Sequence, residues 1–168
     1  MSDLGIKSWA AYIPRLRMDR AAIAAAHAWA MPSLRGLGKG ERAFCSWDED
    51  SITMSVEAVR AVLRSGAGGA VGSLTLASTT QVFSDLQNAS LVAAASGLGN
   101  QLSTLDAGGS LRAGTSSLLR ALQSGGGADA VVVAADARRA KPASTQEMQY
   151  GAGSCALRVG AGAADRDL

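Results

Sequence analysis

The sequence predicts an α/β fold built on a mostly parallel sheet covered by helices. Short apolar runs that read as strands alternate with helix-periodic segments along the chain. Residues 130–135 read Ala-Val-Val-Val-Ala-Ala, apolar throughout and centred on β-branched valines, as for a strand covered on both faces. Twenty glycines and only 4% aromatic residues suit a core of Ala, Val and Leu joined by glycine turns.

The elements follow in order. Leu4–Tyr12 is apolar enough for a first strand, ending near Pro14. Asp19 is a good N-cap for a helix over residues 20–30, stopped by Pro32. Residues 33–40 read as a glycine-punctuated loop. Asp48-Glu49-Asp50 opens a second helix, whose Met54, Ala58, Val59, Val62 and Leu63 share one face, and residues 66–69 end it. Val71–Ala77 reads as a strand and residues 86–98 as a helix, with Gly97 and Gly99 near its end. Residues 102–105 read as the next strand. Leu111, Leu118, Leu119 and Leu122 then recur at helical spacing. The triplet at 125–127 is a break before the 130–135 strand, and residues 155–159 form the last one. No internal repeat or linker divides the chain, so one domain over residues 1–168 is expected.

Composition excludes several classes. The net charge of +2 is too small to argue for nucleic acid or an anionic membrane surface, and no run approaches the ~20 apolar residues of a membrane span. The short charged run Arg138-Arg139-Ala140-Lys141 reads as a solvated loop. The first residues lack a basic region followed by an apolar one, so no secretory signal is expected. Cys45 and Cys155 lie far apart without metal spacing, which makes a cytoplasmic protein with two free thiols the default. The one histidine, His27, sits on an alanine-rich helix and reads as a surface or half-buried residue.

The segment from Asp106 to Leu118 carries the functional signal. A strand turns at Gly108-Gly109 into a helix, with Ser110 at the turn. That geometry brings one side chain and the free N–H groups of a helix start to the tip of a sheet, where many α/β enzymes hold a nucleophile. Ser110 is the only nucleophile-type side chain there, yet with no neighbouring base visible it reads first as a cap accepting from the amides of Arg112 or Ala113. Arg112 reads either as a partner for a phosphate or carboxylate or as a solvated first-turn residue. Residues 109–116 superficially match a phosphate loop, but Thr115 stands where its lysine belongs. The acids at 48–50 read as helix-dipole partners rather than a metal cluster.

Leu111-Arg112-Ala113-Gly114-Thr115 resembles the nucleophile segment of the thiolase superfamily, in its 3-hydroxy-3-methylglutaryl-CoA synthase-like branch. Further segments keep that family's order. They are Gly5-Ile6 with Tyr12-Ile13-Pro14 and Arg17, Trp47-Asp48-Glu49-Asp50-Ser51-Ile52-Thr53-Met54 with Glu57-Ala58, Ala77-Ser78-Thr79-Thr80, and Glu147 with Tyr150-Gly151-Ala152-Gly153-Ser154.

The resemblance implies a thiolase-like half, an acyl-CoA substrate with no separate cofactor, and carbon–carbon bond formation or cleavage of acyltransferase or aldolase type. It also marks departures. Leu111 stands where the family carries its cysteine and Thr79 where it carries its glutamate, so neither ordinary nucleophile nor base is present. Thr79 and Ser110 are then the candidate catalytic residues, with Leu111, Arg112, Gly114 and Thr115 as candidate substrate contacts. Family subunits have two similar halves, and this chain matches the first. The resemblance therefore implies a second half, or a zinc-ribbon/OB-fold partner chain. It further implies pairing into a homo- or hetero-oligomer through the strand at 100–107. A non-catalytic structural or regulatory subunit is the alternative.

Overall fold

A computed structural model describes residues 4–65, 68–124 and 127–162. The expected helix end at residues 66–67 and the break at residues 125–126 lie outside the described residues. Seven strands are β1 Leu4–Tyr12, β2 Arg17–Asp19, β3 Glu41–Ala43, β4 Val71–Ala77, β5 Ser103–Ala107, β6 Asp129–Ala137 and β7 Ala152–Ala161. Five helices are α1 Arg20–His27, α2 Ser51–Arg64, α3 Asn88–Ala95, α4 Ala113–Gln123 and α5 Thr145–Gln149, with a 3₁₀ turn at Pro32–Leu37.

The main sheet has the order β1-β7-β6-β4-β5. β4 pairs in parallel with both β5 and β6, while β7 runs antiparallel to both β6 and β1. Four of the five strands therefore point one way and only β7 is reversed. Strand alternation sorts the two faces. Leu74, Leu76, Val131, Val133 and Ala156 face α2 and α3, whose Ala58, Val59, Val62, Ala89 and Val92 complete that core. Val132, Val159 and Ala130 face α4, which packs Leu118, Ala121 and Leu122 against them. Both faces of β6 are thus covered at 131–133, as its apolar run predicts.

Caps set the helix bounds. Asp19 accepts the amide of Ala21 to start α1. The Asp50 carboxylate takes the amides of Ile52 and Thr53, and the Thr53 hydroxyl receives the Asp50 amide, a reciprocal box at the start of α2. α3 is shorter than the expected 86–98. It ends where Leu98 N donates to Ala93 O and Gly97 N to Ala94 O, the paired bonds of a Schellman stop.

The structure corrects the expectation at several places. The expected loop at 33–40 contains a 3₁₀ turn whose Leu34 is buried with Ile23, Ala24 and Met148 in a small second core. The ribbon β2–β3 and the helix α5 were not expected. Leu111 does not lie on the helix with Leu118 and Leu122; α4 begins two residues later. No helix among the described residues is long and apolar enough to cross a membrane.

Candidate functional site

The parallel strands β4 and β5 end level with one another, since Ala77 pairs with Ala107, while β6 runs three residues past Ala134, the other partner of Ala77. The segments Ser78-Thr79-Thr80 and Gly108-Gly109-Ser110 leave these carboxyl ends beside Asp136-Ala137, the last residues of β6. Carboxyl edges of parallel strands are where α/β sheets bind ligands. Gly109 takes φ +75, which turns the chain back toward α4. The Ser110 hydroxyl accepts the Arg112 amide at 3.1 Å, and the Ala113 amide donates to Ser110 O at 3.1 Å. The capping reading of Ser110 is therefore the geometry observed. Ser116 N donates to Arg112 O at 2.9 Å and closes the first turn of the helix, leaving the amides of Gly114 and Thr115 ahead of it.

A cleft of about 640 Å³ opens at this end of the sheet. Thr79, Ser110, Leu111 and Gly114 all line it, together with Tyr12, Asp136 and Cys155. Leu111 is 74% exposed and projects at the cleft mouth as an apolar group. A Cβ on Gly114 would lie 3.3 Å from that of Ala134, so the glycine lets α4 approach β6 closely. Arg112 and Thr115 do not line this cleft. Arg112 is exposed, and the Thr115 hydroxyl donates to Arg112 O at 3.2 Å.

Asp136 is the group that the sequence did not single out. Its Oδ1 accepts from Thr79 N at 2.7 Å, the Thr79 hydroxyl at 3.0 Å, the Thr80 hydroxyl at 3.2 Å and the Ser78 hydroxyl at 3.3 Å. Thr80 in turn accepts the Ala137 amide at 2.9 Å. Position 136, a carboxylate directly after the apolar run at 130–135, was the available signal.

Tyr12 donates its hydroxyl to Glu49, which also accepts the Ser46 amide at 2.8 Å. The carboxylate beside it, aided by burial, raises the tyrosine above its ordinary value of 10.0. Glu49 and Asp50 are thus engaged in a tie and a cap. No cluster of three or more His, Cys, Asp or Glu among the described residues is placed to hold a metal. Burial raises Cys155 above the ordinary thiol value and keeps it protonated near neutral pH. His27 is half-buried on α1, with Nε2 3.8 Å from Glu147 Oε2.

No protein-family model matches the chain. It is 28% identical to the hydroxymethylglutaryl-CoA synthase of Pyrobaculum calidifontis, over 95% of this chain and 47% of that protein. Its coordinates superpose on MvaS in complex with 3-hydroxy-3-methylglutaryl coenzyme A with a TM-score of 0.86 at 26% identity, over 97% of this chain and 41% of that one. This chain matches the 3-hydroxy-3-methylglutaryl-CoA synthase-like half of the thiolase superfamily. A 3-oxoacyl-(acyl-carrier-protein) synthase III superposes with a TM-score of 0.83 at 20% identity, over 99% of this chain and 52% of that one, a likeness of fold alone. The chain spans about half the length of the curated relatives it matches.

Proposed function

We propose that this chain handles acyl-CoA thioesters in carbon–carbon bond formation or cleavage, together with a second half that completes the site. The observation that carries this reading is the convergence of Asp136, Thr79 and Ser110 on one cleft at the start of α4, in a chain matched to hydroxymethylglutaryl-CoA synthases.

The amide of Gly114, in the first turn of α4 and on the cleft wall, is the donor for the oxygen of a thioester enolate or tetrahedral adduct. Thr79, held by Asp136, fixes one wall and offers a hydroxyl. Leu111 packs against the acyl chain or the thioester methylenes rather than attacking the carbonyl. Cys155, kept protonated by burial, is not an acyl acceptor near neutral pH. Proton abstraction next to the thioester needs a base, and the carboxylate of Asp136 is the ionisable group lining this cleft that suits it. The second half, a separate chain or a further stretch of the same protein, covers the α4 face of the sheet and supplies the remaining groups. Pairing runs through β5, the edge strand, whose outer backbone groups no strand of the main sheet pairs. A zinc-ribbon/OB-fold chain is the expected hetero-partner, and the cytoplasm the expected compartment.

One observation favours a second reading. Leu111, exposed at the family's nucleophile position, with the single His27 in the early helix α1 and not among the residues lining the cleft, suits a structural or regulatory subunit whose partner performs catalysis.

Native mass spectrometry of the chain, alone and co-expressed with candidate partner chains, with and without acetyl-CoA, separates the two. A complex that retains acetyl-CoA and turns it over is expected. A complex that forms without retaining any thioester would leave only the structural reading.

A further inference from the structure

The sequence reads Arg138 as part of a solvated run, but the structure half-buries it two residues beyond Asp136. Its guanidinium carbon sits 4.2 Å from the centre of the Tyr150 ring. That stacking holds the side chain in place and offsets part of its lost hydration. Among the described residues, no carboxylate lies within 4.0 Å of it as an ion-pair partner. A half-buried guanidinium held in one position is suited to receive an anion.

A smaller cleft of about 500 Å³ opens beside it. Thr79, Gln81, Gly108, Ser110 and Leu111 line that cleft with Arg138, its only charged lining residue among the described residues. The Thr79 and Ser78 hydroxyls already donate to Asp136, which leaves the Ser110 hydroxyl and the Gln81 amide as the neutral donors of the cleft. Arg138 also borders a larger cleft that carries Arg42 and Arg139 alongside Asp48, Glu49, Asp50 and Glu147, a mixed field without a single sign. The smaller cleft, whose described lining residues include no carboxylate, is the one shared with the candidate site, and Asp136 backs it through its bonds to Ser78 and Thr79.

We propose that this smaller cleft is an oxyanion site, with Arg138 as its anchor and as the specificity-determining residue for the ligand. The proposal rests on the acyl-thioester reading of the neighbouring cleft, because both share Thr79, Ser110 and Leu111, and it names the group on the ligand that carries negative charge. Carboxylate and phosphate both match the planar guanidinium fork. A carboxylate at the far end of the acyl chain and a phosphate of the CoA carrier are the two sources.

Isothermal titration of the full chain with acetyl-CoA, succinyl-CoA, 3′-dephospho-CoA and inorganic phosphate tests this, on the wild type, Arg138→Gln and Arg138→Lys. Near-UV circular dichroism confirms that each variant is folded. If the acyl carboxylate is the group, succinyl-CoA binds more tightly than acetyl-CoA, and Arg138→Gln abolishes the difference. If the carrier's 3′-phosphate is the group, acetyl-CoA binds more tightly than 3′-dephospho-CoA, and that difference disappears in the variant. Either loss is expected at roughly 10- to 100-fold, the range for a hydrogen bond to a charged group. Arg138→Lys, which keeps the charge but not the fork, retains part of the affinity and carries the comparison if the glutamine variant unfolds. Equal affinities across ligands and variants would overturn the proposal. If no CoA compound binds at all, the acyl-thioester reading fails, and inorganic phosphate then decides the role of Arg138 separately. Phosphate binding lost in Arg138→Gln keeps the oxyanion site, and its absence from the wild type removes it.

Discussion

Asp136 Oδ1 lies 2.7 Å from the backbone nitrogen and 3.0 Å from the hydroxyl of Thr79, and this bond pair ties the end of β6 to the end of β4. Because Thr79 is exposed, solvent can replace its hydroxyl bond more easily than its amide bond. Thr79→Ala is therefore expected to lower the unfolding free energy by no more than about 1 kcal/mol. Asp136→Ala removes the acceptor for several donors at once and is expected to lower it by about 2–3 kcal/mol. Urea unfolding of both single variants and the double variant measures this. A double variant no worse than Asp136→Ala alone is the expected non-additive result, since the Thr79 hydroxyl acts through Asp136.

Much of the scaffold was legible because period and caps agree with the tertiary structure. β1 and β4 run over the residues their apolar pattern marks, and Asp19 and Asp50 cap α1 and α2 as their position before apolar-periodic segments predicts. What was missed lacks local signal. β2 and β3 have three residues each, so no alternation can show, and their pairing is set by the chain on either side. The turn at Pro32–Leu37 hides behind two glycines, yet it is held by burial of Leu34 against Ile23 and Met148. The site was half legible. The strand-end serines and threonines and the Gly109 turn were visible as local chemistry. Asp136 reaches Thr79 across 57 positions of sequence, a contact that only the parallel register of β4 and β6 creates.

Asp106, on β5, caps a helix it is not part of. Its two carboxylate oxygens accept the Asn88 amide at 2.7 Å, the Ala89 amide at 2.6 Å and the Asn88 side-chain nitrogen at 3.0 Å. Negative charge at these first amides of α3 also suits the helix dipole. Asp106→Ala is expected to cost about 1–2 kcal/mol, the range for a lost N-cap. Hydrogen exchange should locate the effect: amides in Asn88–Ala95 exchange faster, while those of α2 keep their protection. Uniform acceleration in both helices would mean that the residue supports the sheet rather than the cap.

At the opposite end of β6 a charge cluster is enclosed. Arg158, 4% exposed, donates Nε to Asp129 Oδ2 at 2.6 Å and Nη2 to Gly69 O at 2.6 Å, while Lys7 reaches Asp129 Oδ2 at 3.0 Å. Removing the carboxylate strands a buried guanidinium, so Asp129→Ala is expected to destabilise by about 3–5 kcal/mol. Gly160→Ala should act similarly without removing a charge, because its Cβ would fall 2.0 Å from Asp129 Oδ1 and force that carboxylate aside. Thermal unfolding compares the two. A Gly160→Ala variant as stable as the wild type would show that the cluster can shift its carboxylate without loss.

The thiols give a pH-dependent and a site-directed prediction together. Burial raises both Cys155 and Cys45 above 9.0, and Glu49 and Asp50 push Cys45 further the same way. The native state therefore holds thiol protons that the unfolded chain releases above about pH 9. Their contribution to stability is complete below that pH and falls as pH rises through the raised values. Chemical unfolding at pH 8 and pH 10, on the wild type and a variant with both cysteines replaced by serine, should show the steeper loss in the wild type. At pH 8 both native thiols should react with iodoacetamide more slowly than free cysteine. Leu111→Cys places a third thiol two residues before α4, exposed at the cleft mouth and facing the unpaired amides of the first turn. Those amides favour the thiolate, so this thiol should be alkylated faster than either native one, as read by peptide mass spectrometry. A rate no faster than that of Cys155 would show that the helix start does not stabilise an anion there, and the acyl-thioester reading would lose its oxyanion donor.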